Sequence, residues 1–355
     1  MTPREQQIVE LIRRDPFISQ QELASRLDIG RSAVAGHVMR LTARGVIRGR
    51  GYVLAESRSV LCVGATNLDM HGRPNGPLAT RRSTPGTIQR TPGGAARNVA
   101  ENLARLGVDV RLVSAVGRDP DGEYLLDHAR AAGIDTAAVH RSAASRTSTY
   151  LAILDNSGDT RLAINDMEIL KELNGELLDR ALAPAQSDVP LVADSNLDAA
   201  ALRRIAEHPS RGPLFVDSVS PAKAPRLKEV LTHIASLKTT LADVRALAGR
   251  RIRDAEAAAA WLCDRGVQQA YVTQGADGVS VATHAGERTF RKAMTSGNVV
   301  STSGAGDAFL AGLVHAELQG LELHASLDHA MALSTLALES SSNVVTRDAR
   351  RAVSP

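Results

Sequence analysis

Short apolar runs alternate with longer amphipathic stretches along most of the chain, from residue 59 onward. β-branched residues are frequent in the short runs SVLCVGA, DVRLVSAVG, PLVADSN, PLFVDSVS and QAYVTQG, whereas apolar positions recur at helical spacing in NVAENLARLG, GEYLLDHARAAG and AEAAAAWLCDRG. Such alternation is typical of a parallel sheet covered by helices, in which ligands gather at the carboxyl ends of the strands. We therefore expect an α/β domain with its site at that edge.

One stretch departs from the alternation. The segment TSTYLAILDNSGDTRLAIND contains two strand-like halves around a polar NSGD turn, which predicts a hairpin that projects from the α/β body. Together with the segment near residues 70–92, this hairpin is expected to form a lid.

The amino-terminal residues have a different pattern. TPREQQIVELIRRDP has apolar residues at helical spacing up to Pro16, Ser19 and Glu22 have the spacing of a capping box at the start of a second helix, and a third helix is predicted from about Arg31 to Arg44. After these helices, VIRGRGYVL alternates like a small β-hairpin. The arrangement resembles a winged helix-turn-helix module. We therefore expect one domain over residues 1–56 and a second over residues 59–347.

In a winged helix-turn-helix, the third helix enters the major groove of DNA and the hairpin follows the phosphates. The side chains expected to contact DNA are Arg31, Ser32, His37 and Arg40 on the helix and Arg48 and Arg50 on the hairpin. Alternatively, the unit docks on its neighbour or on a second subunit.

Composition narrows the class of protein. The chain has 355 residues, of which 43% are hydrophobic and 23% charged, so it can bury a core, and its formal net charge of +3 does not by itself indicate nucleic acid. The only two cysteines, Cys62 and Cys263, match no metal-binding or redox spacing and are expected to be buried reduced thiols. No apolar stretch reaches the ~18 residues of a membrane span, and the amino terminus lacks an apolar signal core. We therefore expect a cytoplasmic protein without a membrane segment.

The segment STSGAGDAFLAG, residues 301–312, places an acid directly after three residues with almost no side chain. The backbone amides of Gly304, Ala305 and Gly306 are unobstructed at a predicted helix start, which favours the binding of a phosphate. A carboxylate beside a phosphate is unfavourable unless it serves a purpose, such as accepting a proton from an attacking hydroxyl. Asp307 is therefore either a catalytic base or an ordinary helix N-cap.

Three other segments place small and polar residues after strands or before a helix. A glycine pair precedes a helix in TPGGAARNVAENLARLG, VGATNLDMHGRP follows the first strand, and YVTQGADGVSV contains a later strand. The candidate residues of these segments are Gly93, Gly94, Asn98, Asn67, Asp69, Thr273, Gly275 and Gly278. The sequence contains neither a GxxxxGK[ST] loop nor the HRD and DFG elements of protein kinases. Any phosphate chemistry must therefore use another scheme.

The motifs GxxNxD, GGxxxN, TxGxxG and GAGD occur in this order within residues 59–347. Their order and separation resemble those of the ribokinase-like, pfkB-type carbohydrate kinases. Within that family, STPGTIQRTPGGAARNVAENLARLG, TYLAILDNSGDTRLAINDM and PLFVDSVSPAKA are similar to stretches of pseudouridine kinases. The resemblance implies a ribokinase-like α/β fold, with a mostly parallel sheet flanked by helices and a small β lid. It also implies transfer of a phosphoryl group from ATP to the 5′-hydroxyl of a nucleoside such as pseudouridine.

The resemblance implies roles for individual residues as well. Asp307 matches the general base, and the amides of Gly304, Ala305 and Gly306 match the group that stabilises the transferring phosphoryl. The positions implied to hold the sugar are Asn67, Asp69, Gly93, Gly94 and Asn98. The positions implied to line the ATP site are Thr240, Thr273, Gly275, Gly278, Gly304, Gly306 and His329, with His329 beside the adenine.

Two positions depart from the family pattern. The family usually has an acid where this chain has Ser301, and that acid helps to organise a monovalent-cation site, so activation by K⁺ is an open question. The NxxE element, which helps to hold Mg²⁺ and phosphates through water, corresponds here to Thr240 and Asp243. The resemblance therefore makes Asp243 the candidate residue for Mg²⁺.

Recognition of a nucleobase requires a polar group placed to pair with it. Asn165, Asp166 and Lys223 are candidates because they lie in the stretches similar to pseudouridine kinases. Alternatively, Asn165 and Asp166 only end the lid hairpin, and Lys223 is a solvated loop charge.

Three functions remain open on the sequence. The first is a pseudouridine kinase, and the second is a kinase for another nucleoside (inosine, uridine or cytidine) or for a ribose-type sugar. The third is a transcriptional regulator whose kinase-like domain only senses such a ligand. Since winged-helix modules commonly act as dimers, a homodimer is expected.

Overall fold

The structure is a computed structural model that divides the chain into two compact units, Met1–Ser57 and Arg58–Pro355. It describes residues 1–47, 59–78, 81–155, 160–183, 189–209, 212–294, 299–340 and 342–345. Most of the hairpin predicted after the third helix, including Arg48 and Arg50, lies outside the described residues.

The first unit contains three helices, α1 (Pro3–Arg14), α2 (Gln20–Leu27) and α3 (Arg31–Ala43). Their apolar faces meet in a core of Ile8, Val9, Ile12, Ile18, Leu23, Ala24, Val34, Leu41 and Ile47. All three helices were predicted from the spacing of these apolar residues, and the structure confirms them. The capping box expected at the start of α2 is only half formed, because Ser19 accepts from the Glu22 amide at 3.1 Å while the Glu22 side chain pairs with Arg26 at 2.7 Å.

The second unit is an α/β domain. Its strands are β1 (Ser59–Val63), β2 (Asn67–Pro74), β3 (Gly86–Gly93), β4 (Asp109–Val113), β5 (Ala115–Gly117), β6 (His140–Ser142), β7 (Thr149–Leu154), β8 (Thr160–Asp166), β9 (Leu191–Asp194), β10 (Leu214–Asp217), β11 (Ser236–Thr240), β12 (Gln269–Thr273), β13 (Val279–Thr283) and β14 (Arg288–Arg291). Its helices are α4 (Ala95–Arg105), α5 (Pro120–Ala131), α6 (Gly175–Leu182), α7 (Ala199–Ala206), α8 (Leu241–Ala248), α9 (Ala255–Cys263), α10 (Ala305–Leu318) and α11 (Leu323–Leu338).

The central sheet has eight strands in the order β14-β13-β12-β11-β10-β9-β1-β4. The six strands from β12 to β4 run parallel, and β13 and β14 are antiparallel additions at one edge. Side chains of β1 alternate between two buried clusters: Val60 and Cys62 pack with residues of α4 and α10, and Leu61 and Val63 pack with residues of α6 and α7. Helices therefore cover both faces, as the alternating pattern predicted.

A second sheet of four strands, in the order β3-β2-β7-β8, forms the predicted lid. Strand β2 pairs with β3 antiparallel and with β7 parallel, and β7 and β8 form the hairpin. Residues 156–159, which include the NSGD turn, lie outside the described residues. The sequence therefore located both halves of the lid correctly.

The two faces of the lid differ in chemistry. Asp69 lies opposite Tyr150, and Tyr150 lies opposite Asn165, so these three side chains project from one face, the polar lid face. The other face, the apolar lid face, carries exposed Ile88, Leu162 and Ile164.

Two carboxylates fix the points where the lid strands leave the body. Asp119 accepts from the Thr147 amide at 2.8 Å and from the Thr147 hydroxyl at 2.6 Å, two residues before β7 begins. Glu172, shortly after β8, accepts from the Ser142 hydroxyl at 2.9 Å and from the Ser145 hydroxyl. The polar lid face is thus held at a defined position on the body.

Both cysteines are buried free thiols, as expected. Burial raises the pKa of the Cys263 thiol to about 11, so it remains protonated at neutral pH. Among the described residues, no helix combines the length and the apolar character that a membrane crossing requires.

Candidate active site

The GAGD segment forms the amino-terminal end of α10, the position predicted for it. Gly304 is the N-cap with φ of +80°, and a Cβ there would lie 2.0 Å from the backbone oxygen of Asn343, so only glycine fits. Asp307 lies three residues after this N-cap. The alternative interpretation of Asp307 as an ordinary N-cap is therefore wrong, and its carboxylate is available for another purpose.

Asp307 lies among other charged groups at the carboxyl edge of the central sheet. Its Oδ2 accepts a hydrogen bond from Asn98 Nδ2 at 2.8 Å. Burial, together with the nearby Asp217 carboxylate, raises the pKa of Asp307 to about 7, although Lys238 and the Asn98 hydrogen bond oppose the shift. An unperturbed aspartate has a pKa of about 3.9 and is a poor base. Asp307 can therefore accept a proton near neutrality far better than an ordinary aspartate.

Lys238, on β11, brings a positive charge to this edge. Its Nζ is 3.0 Å from Asp217 Oδ2, and a Cβ added to Gly306 would lie 2.7 Å from the same Nζ. Burial works to lower the pKa of Lys238, but the carboxylates of Asp217 and Asp307 raise it above its usual value. The sequence analysis did not identify Lys238. A lysine inside a short strand, one strand away from a strand-ending aspartate, is the signal that indicates it, because a buried charge needs a partner.

The carboxylate of Asp69 is the centre of a second group of candidates. It accepts from Asn67 Nδ2 at 2.6 Å and from Asn343 Nδ2 at 2.9 Å. Burial raises the pKa of Asp69 above its usual value, against the effect of these bonds. Asn343 was not identified from the sequence, since it lies far along the chain from β2 and outside the motifs.

The glycine pair next to this carboxylate allows close approach of the backbone. A Cβ on Gly93 would lie 2.3 Å from Asp69 Oδ2, and one on Gly94, where φ is +105°, would lie 2.3 Å from the backbone oxygen of Ala65. Asn98 follows in the first turn of α4, and its side-chain amide donates a hydrogen bond to Asp307. The structure thus brings Asp69, Asn98 and Asp307 to one region between the lid and α10.

The candidates for the ATP site lie at the carboxyl ends of neighbouring strands. Thr240 and Thr273 are register partners at the ends of β11 and β12. Gly275 and Gly278 follow β12 with φ of +59° and +123°, and a Cβ on Gly278 would lie 2.0 Å from the Arg291 backbone oxygen. Their roles in binding ATP stay predictions.

Asp243 does not have the environment of a direct Mg²⁺ ligand. It forms a capping box with Thr240 at the start of α8, and its Oδ2 accepts from the Thr240 amide at 3.1 Å and from the Ser218 hydroxyl at 2.8 Å. The side chain is buried, with 3% exposed. Within the described part of the chain, no cluster of three or more His, Cys, Asp or Glu residues is arranged to hold a metal ion. These contacts argue against direct ligation only, and the water-mediated role of Asp243 toward Mg²⁺ stays a prediction.

His329, the residue expected beside adenine, lies in α11 against a second histidine. Its Nε2 is 2.9 Å from His315 Nδ1, and the two rings stack with centroids 5.0 Å apart. Burial lowers the pKa of His329, so its imidazole is neutral at pH 7. Ser301 is the position where the family usually has an acid. Its hydroxyl accepts from the Ser303 amide at 3.2 Å in a local turn.

The three candidates for nucleobase recognition line one cavity. Asn165, Asp166 and Lys223 contribute to a cavity of about 200 Å³ that Asn196 and Arg226 also line. Asn165 and Asp166 do end strand β8, as the alternative interpretation held. Lys223 is not a solvated loop charge, because it is partly buried and donates to Asn196 Oδ1, and burial lowers its pKa.

In the first unit, the DNA-contact candidates of α3 fall into two groups. Arg31 and Ser32 are exposed at its amino-terminal end. His37 is partly buried rather than exposed, and its Nδ1 is 2.7 Å from Arg40 Nη2. Arg40 in turn contacts the buried Glu5 at 3.3 Å. The side chains of Arg31 and Ser32 are therefore more available for contacts with DNA than those of His37 and Arg40.

Two family models match the chain. A model described as pfkB family carbohydrate kinase matches residues 57–348, and one described as winged helix-turn-helix DNA-binding matches residues 1–48. Both units found in the structure are thus also recognised in the sequence.

Similar proteins agree with these models. The chain is 38% identical to the Escherichia coli protein named uncharacterized sugar kinase YeiI, over 96% of this chain and 95% of that one. It is 34% identical to the Escherichia coli pseudouridine kinase, over 80% of this chain and 92% of that one. The solved structure of a carbohydrate kinase from Agrobacterium tumefaciens matches with a TM-score of 0.71 and 28% identity, over 83% of this chain and 96% of that one.

The two glycines of the GAGD segment should respond differently to alanine. Gly304→Ala introduces a strained positive φ and a clash with backbone, so we expect the free energy of unfolding to fall by at least about 2 kcal/mol. Gly306→Ala meets only the end of the Lys238 side chain, and alanine favours a helix, so a change within about 1 kcal/mol is expected. Denaturant unfolding of both variants measures this. Equal losses would contradict the geometry described for Gly304.

Proposed function

Because the chain belongs to the pfkB family of carbohydrate kinases, we propose that it transfers the terminal phosphoryl group of ATP to the 5′-hydroxyl of a nucleoside, and that this nucleoside is pseudouridine. The observation that carries the proposal is Asp307, a carboxylate with a pKa of about 7 in the first turn of α10, where no side chain caps the backbone amides. The similarity to a pseudouridine kinase supports the choice of acceptor.

Asp307 acts as the general base in this proposal. Its Oδ2 accepts the proton of the acceptor hydroxyl while the hydroxyl oxygen attacks the terminal phosphorus of ATP. The bond from that phosphorus to the bridging oxygen breaks, and ADP leaves. A base is most effective when its pKa lies near the working pH. Since Asp307 works in its ionised form, activity should fall as the pH drops below about 7.

The amides of Gly304, Ala305 and Gly306 stabilise the negative charge that spreads over the transferring phosphoryl. They point from the amino-terminal end of a helix, where the dipole also favours negative charge. Lys238, whose Nζ lies beside Gly306, adds a positive charge on the same side. Phosphoryl transfer depends mainly on positioning and neutralisation of charge, so the reaction needs no covalent catalysis, and these groups would act beside the Mg²⁺ that accompanies ATP.

The acceptor binds between the polar lid face and α4. Asp69 accepts hydrogen bonds from sugar hydroxyls, and Asn67, Gly93, Gly94 and Asn98 shape the space around it. The nucleobase extends along the polar lid face toward Asn165, which lies two strands from Asp69 in the same row. Two strand spacings are about 10 Å, a distance that a nucleoside can span. Asn165, Asp166 and Lys223 then recognise the base.

Replacing the base tests the proposed mechanism. Asp307→Asn keeps the size of the side chain but cannot accept the proton, so we expect kcat to fall by about 10²–10⁴-fold. Asp127→Asn, at an exposed position of α5, is the matched control and should leave kcat unchanged. An assay of ADP formation with pseudouridine and ATP measures both. A loss of less than about tenfold in Asp307→Asn would rule out general-base catalysis by this residue.

Replacing Lys223 tests the proposed acceptor. We expect Lys223→Met to raise KM for pseudouridine about 10–100-fold, the range set by loss of a charged hydrogen bond, and to change KM for ribose little. Lys228→Met, an exposed lysine nearby, is the control. KM is measured for a panel of acceptor substrates: pseudouridine, uridine, inosine, cytidine and ribose. An equal rise in KM for ribose would show that Lys223 does not contact the base.

The same panel separates the alternatives. Turnover of inosine, uridine, cytidine or ribose in preference to pseudouridine would favour the second candidate function. Binding of a nucleoside without turnover by the unaltered protein would favour a ligand-sensing regulator. Asp307 argues against a sensor, since a base with a pKa near neutrality serves no purpose in binding alone.

The first unit supports a second proposal, that the chain also binds DNA. It matches a winged helix-turn-helix model, and Arg31 and Ser32 are exposed at the start of α3. Binding through phosphates should weaken as salt rises.

Arg31→Ala tests the DNA proposal. Loss of one phosphate contact should weaken binding to a random-sequence duplex and reduce the slope of log K against log salt by about 1. Arg13→Ala, on α1, is the control. Fluorescence anisotropy at several salt concentrations gives both quantities. A complete lack of binding at low salt would contradict the proposal.

The homodimer expected from the sequence stays a prediction, and sedimentation equilibrium measures it. The apolar lid face, with Ile88, Leu162 and Ile164 exposed, is a surface that a second copy would cover in such a dimer.

A further inference from the structure

Arg97 lies directly before Asn98 in α4 and contacts its side chain. Arg97 Nη1 donates to Asn98 Oδ1 at 2.9 Å, and Asn98 Nδ2 donates to Asp307 Oδ2 at 2.8 Å. A chain of hydrogen bonds therefore runs from the guanidinium through the amide to the carboxylate.

The guanidinium determines which end of the Asn98 amide faces Asp307. Arginine has only donors, so the atom that it contacts on Asn98 must be the oxygen. The NH₂ group is then left to donate to Asp307. With the amide reversed, two N–H donors would face each other at Arg97, and the amide oxygen would face the carboxylate oxygen of Asp307.

Arg97 is itself held in place by buried partners. It has 2% of its side chain exposed, and it forms an ion pair with Glu101, which is fully buried. Its other contacts are the Pro92 backbone oxygen at 3.2 Å and His128 Nδ1 at 3.0 Å. Arg105 pairs with the same Glu101 but has no contact with Asn98. Such a network is expensive to bury and gains little stability over apolar side chains, whereas it fixes Nη1 against Asn98.

We propose that Arg97 is a positioning residue: it sets the orientation of the Asn98 amide, and through it the position and proton affinity of Asp307. The effect of Arg97 on catalysis rests on the proposed function. The contact between Arg97 and Asn98 is independent of that function. The sequence motif GGxxxN includes Asn98 but gives no role to the residue before it.

The sign of the effect follows from the charges around each group. Asp307 faces Asp217, Asp194 and Lys238 in addition to Asn98. The groups that face Arg97 are Glu101, Arg105, His128, Tyr124 and Asp69. If Asn98 reverses, Asp307 loses a donor and gains a facing oxygen, and both changes favour its protonated form. The pKa of Asp307 should therefore rise when Arg97 no longer holds Asn98.

The experiment compares Arg97→Lys with Arg105→Lys. Each variant keeps a cation for Glu101, but only the first loses the donor to Asn98 Oδ1. The pKa of Asp307 is read in the ligand-free protein from the carboxyl ¹³C NMR signal that is absent in Asp307→Asn. The pH profile of kcat/KM is measured with the same proteins.

We expect Arg97→Lys to raise the pKa of Asp307 by about one unit, the scale of one hydrogen bond to a charged group. The acid limb of the pH profile should move upward by the same amount, and the rate should recover at high pH. Arg105→Lys should shift neither. A purely structural role would lower the rate at every pH without moving the limb.

Equal pKa values of Asp307 in Arg97→Lys and the unaltered protein would overturn the proposal, and so would equal shifts in the two lysine variants. If Arg97→Lys does not fold, as judged by circular dichroism, Arg97→Gln/Glu101→Gln removes both buried charges together and should give the same upward shift. If the unaltered protein shows no kinase activity while the NMR shift occurs, the proposed function fails and the positioning of Asp307 by Arg97 stands.

Discussion

Negative charge at the carboxyl edge of the central sheet is the constraint on which the site depends. Three aspartates, Asp194, Asp217 and Asp307, are brought together there. Asp194 is stabilised by backbone amides, because it accepts from Ala65 and Ala96 at 2.9 and 3.0 Å. Asp217 takes the ammonium of Lys238. Asp307 has only the Asn98 amide as a direct partner among the contacts described above, and its burial, together with the nearby Asp217 carboxylate, raises its pKa to about 7.

Close approach of the backbone makes this concentration of charge possible. A Cβ on Gly64 would lie 2.3 Å from Asp194 Oδ2, one on Gly93 equally close to Asp69 Oδ2, and one on Gly304 at 2.0 Å from the Asn343 backbone oxygen. Glycine at these positions lets β1, the lid and the carboxyl-terminal segment converge on the start of α10. The lid is fixed to the body by Asp119 and Glu172, so its polar face is held near the same edge. The geometry of the site and its concentration of negative charge therefore both result from the packing around α10.

The sequence was sufficient for the fold and for the places where the motif segments lie in it, because local signals determine both. Apolar periodicity predicted the helices, and the GAGD and GGxxxN segments predicted where α10 and α4 begin. Local patterns did not identify Lys238, Asn343 or Arg97. The role of Lys238 arises from strand register and that of Asn343 from the return of the chain near its end. The role of Arg97 arises from its contact with a side-chain amide. Local patterns also allowed Asp307 to be the N-cap of α10, whereas the N-cap is Gly304. They predicted a complete capping box at Ser19, of which only one hydrogen bond forms.

The position of Asp307 relative to the acceptor is the central claim, and a crystal structure with pseudouridine and a non-hydrolysable ATP analogue tests it most directly. We expect Oδ2 of Asp307 within about 3 Å of the 5′-hydroxyl oxygen, the distance at which a general base accepts a proton. The terminal phosphate should lie against the amides of Gly304 to Gly306. A carboxylate turned away from the hydroxyl and bonded only to Asn98, with both ligands bound, would contradict the account.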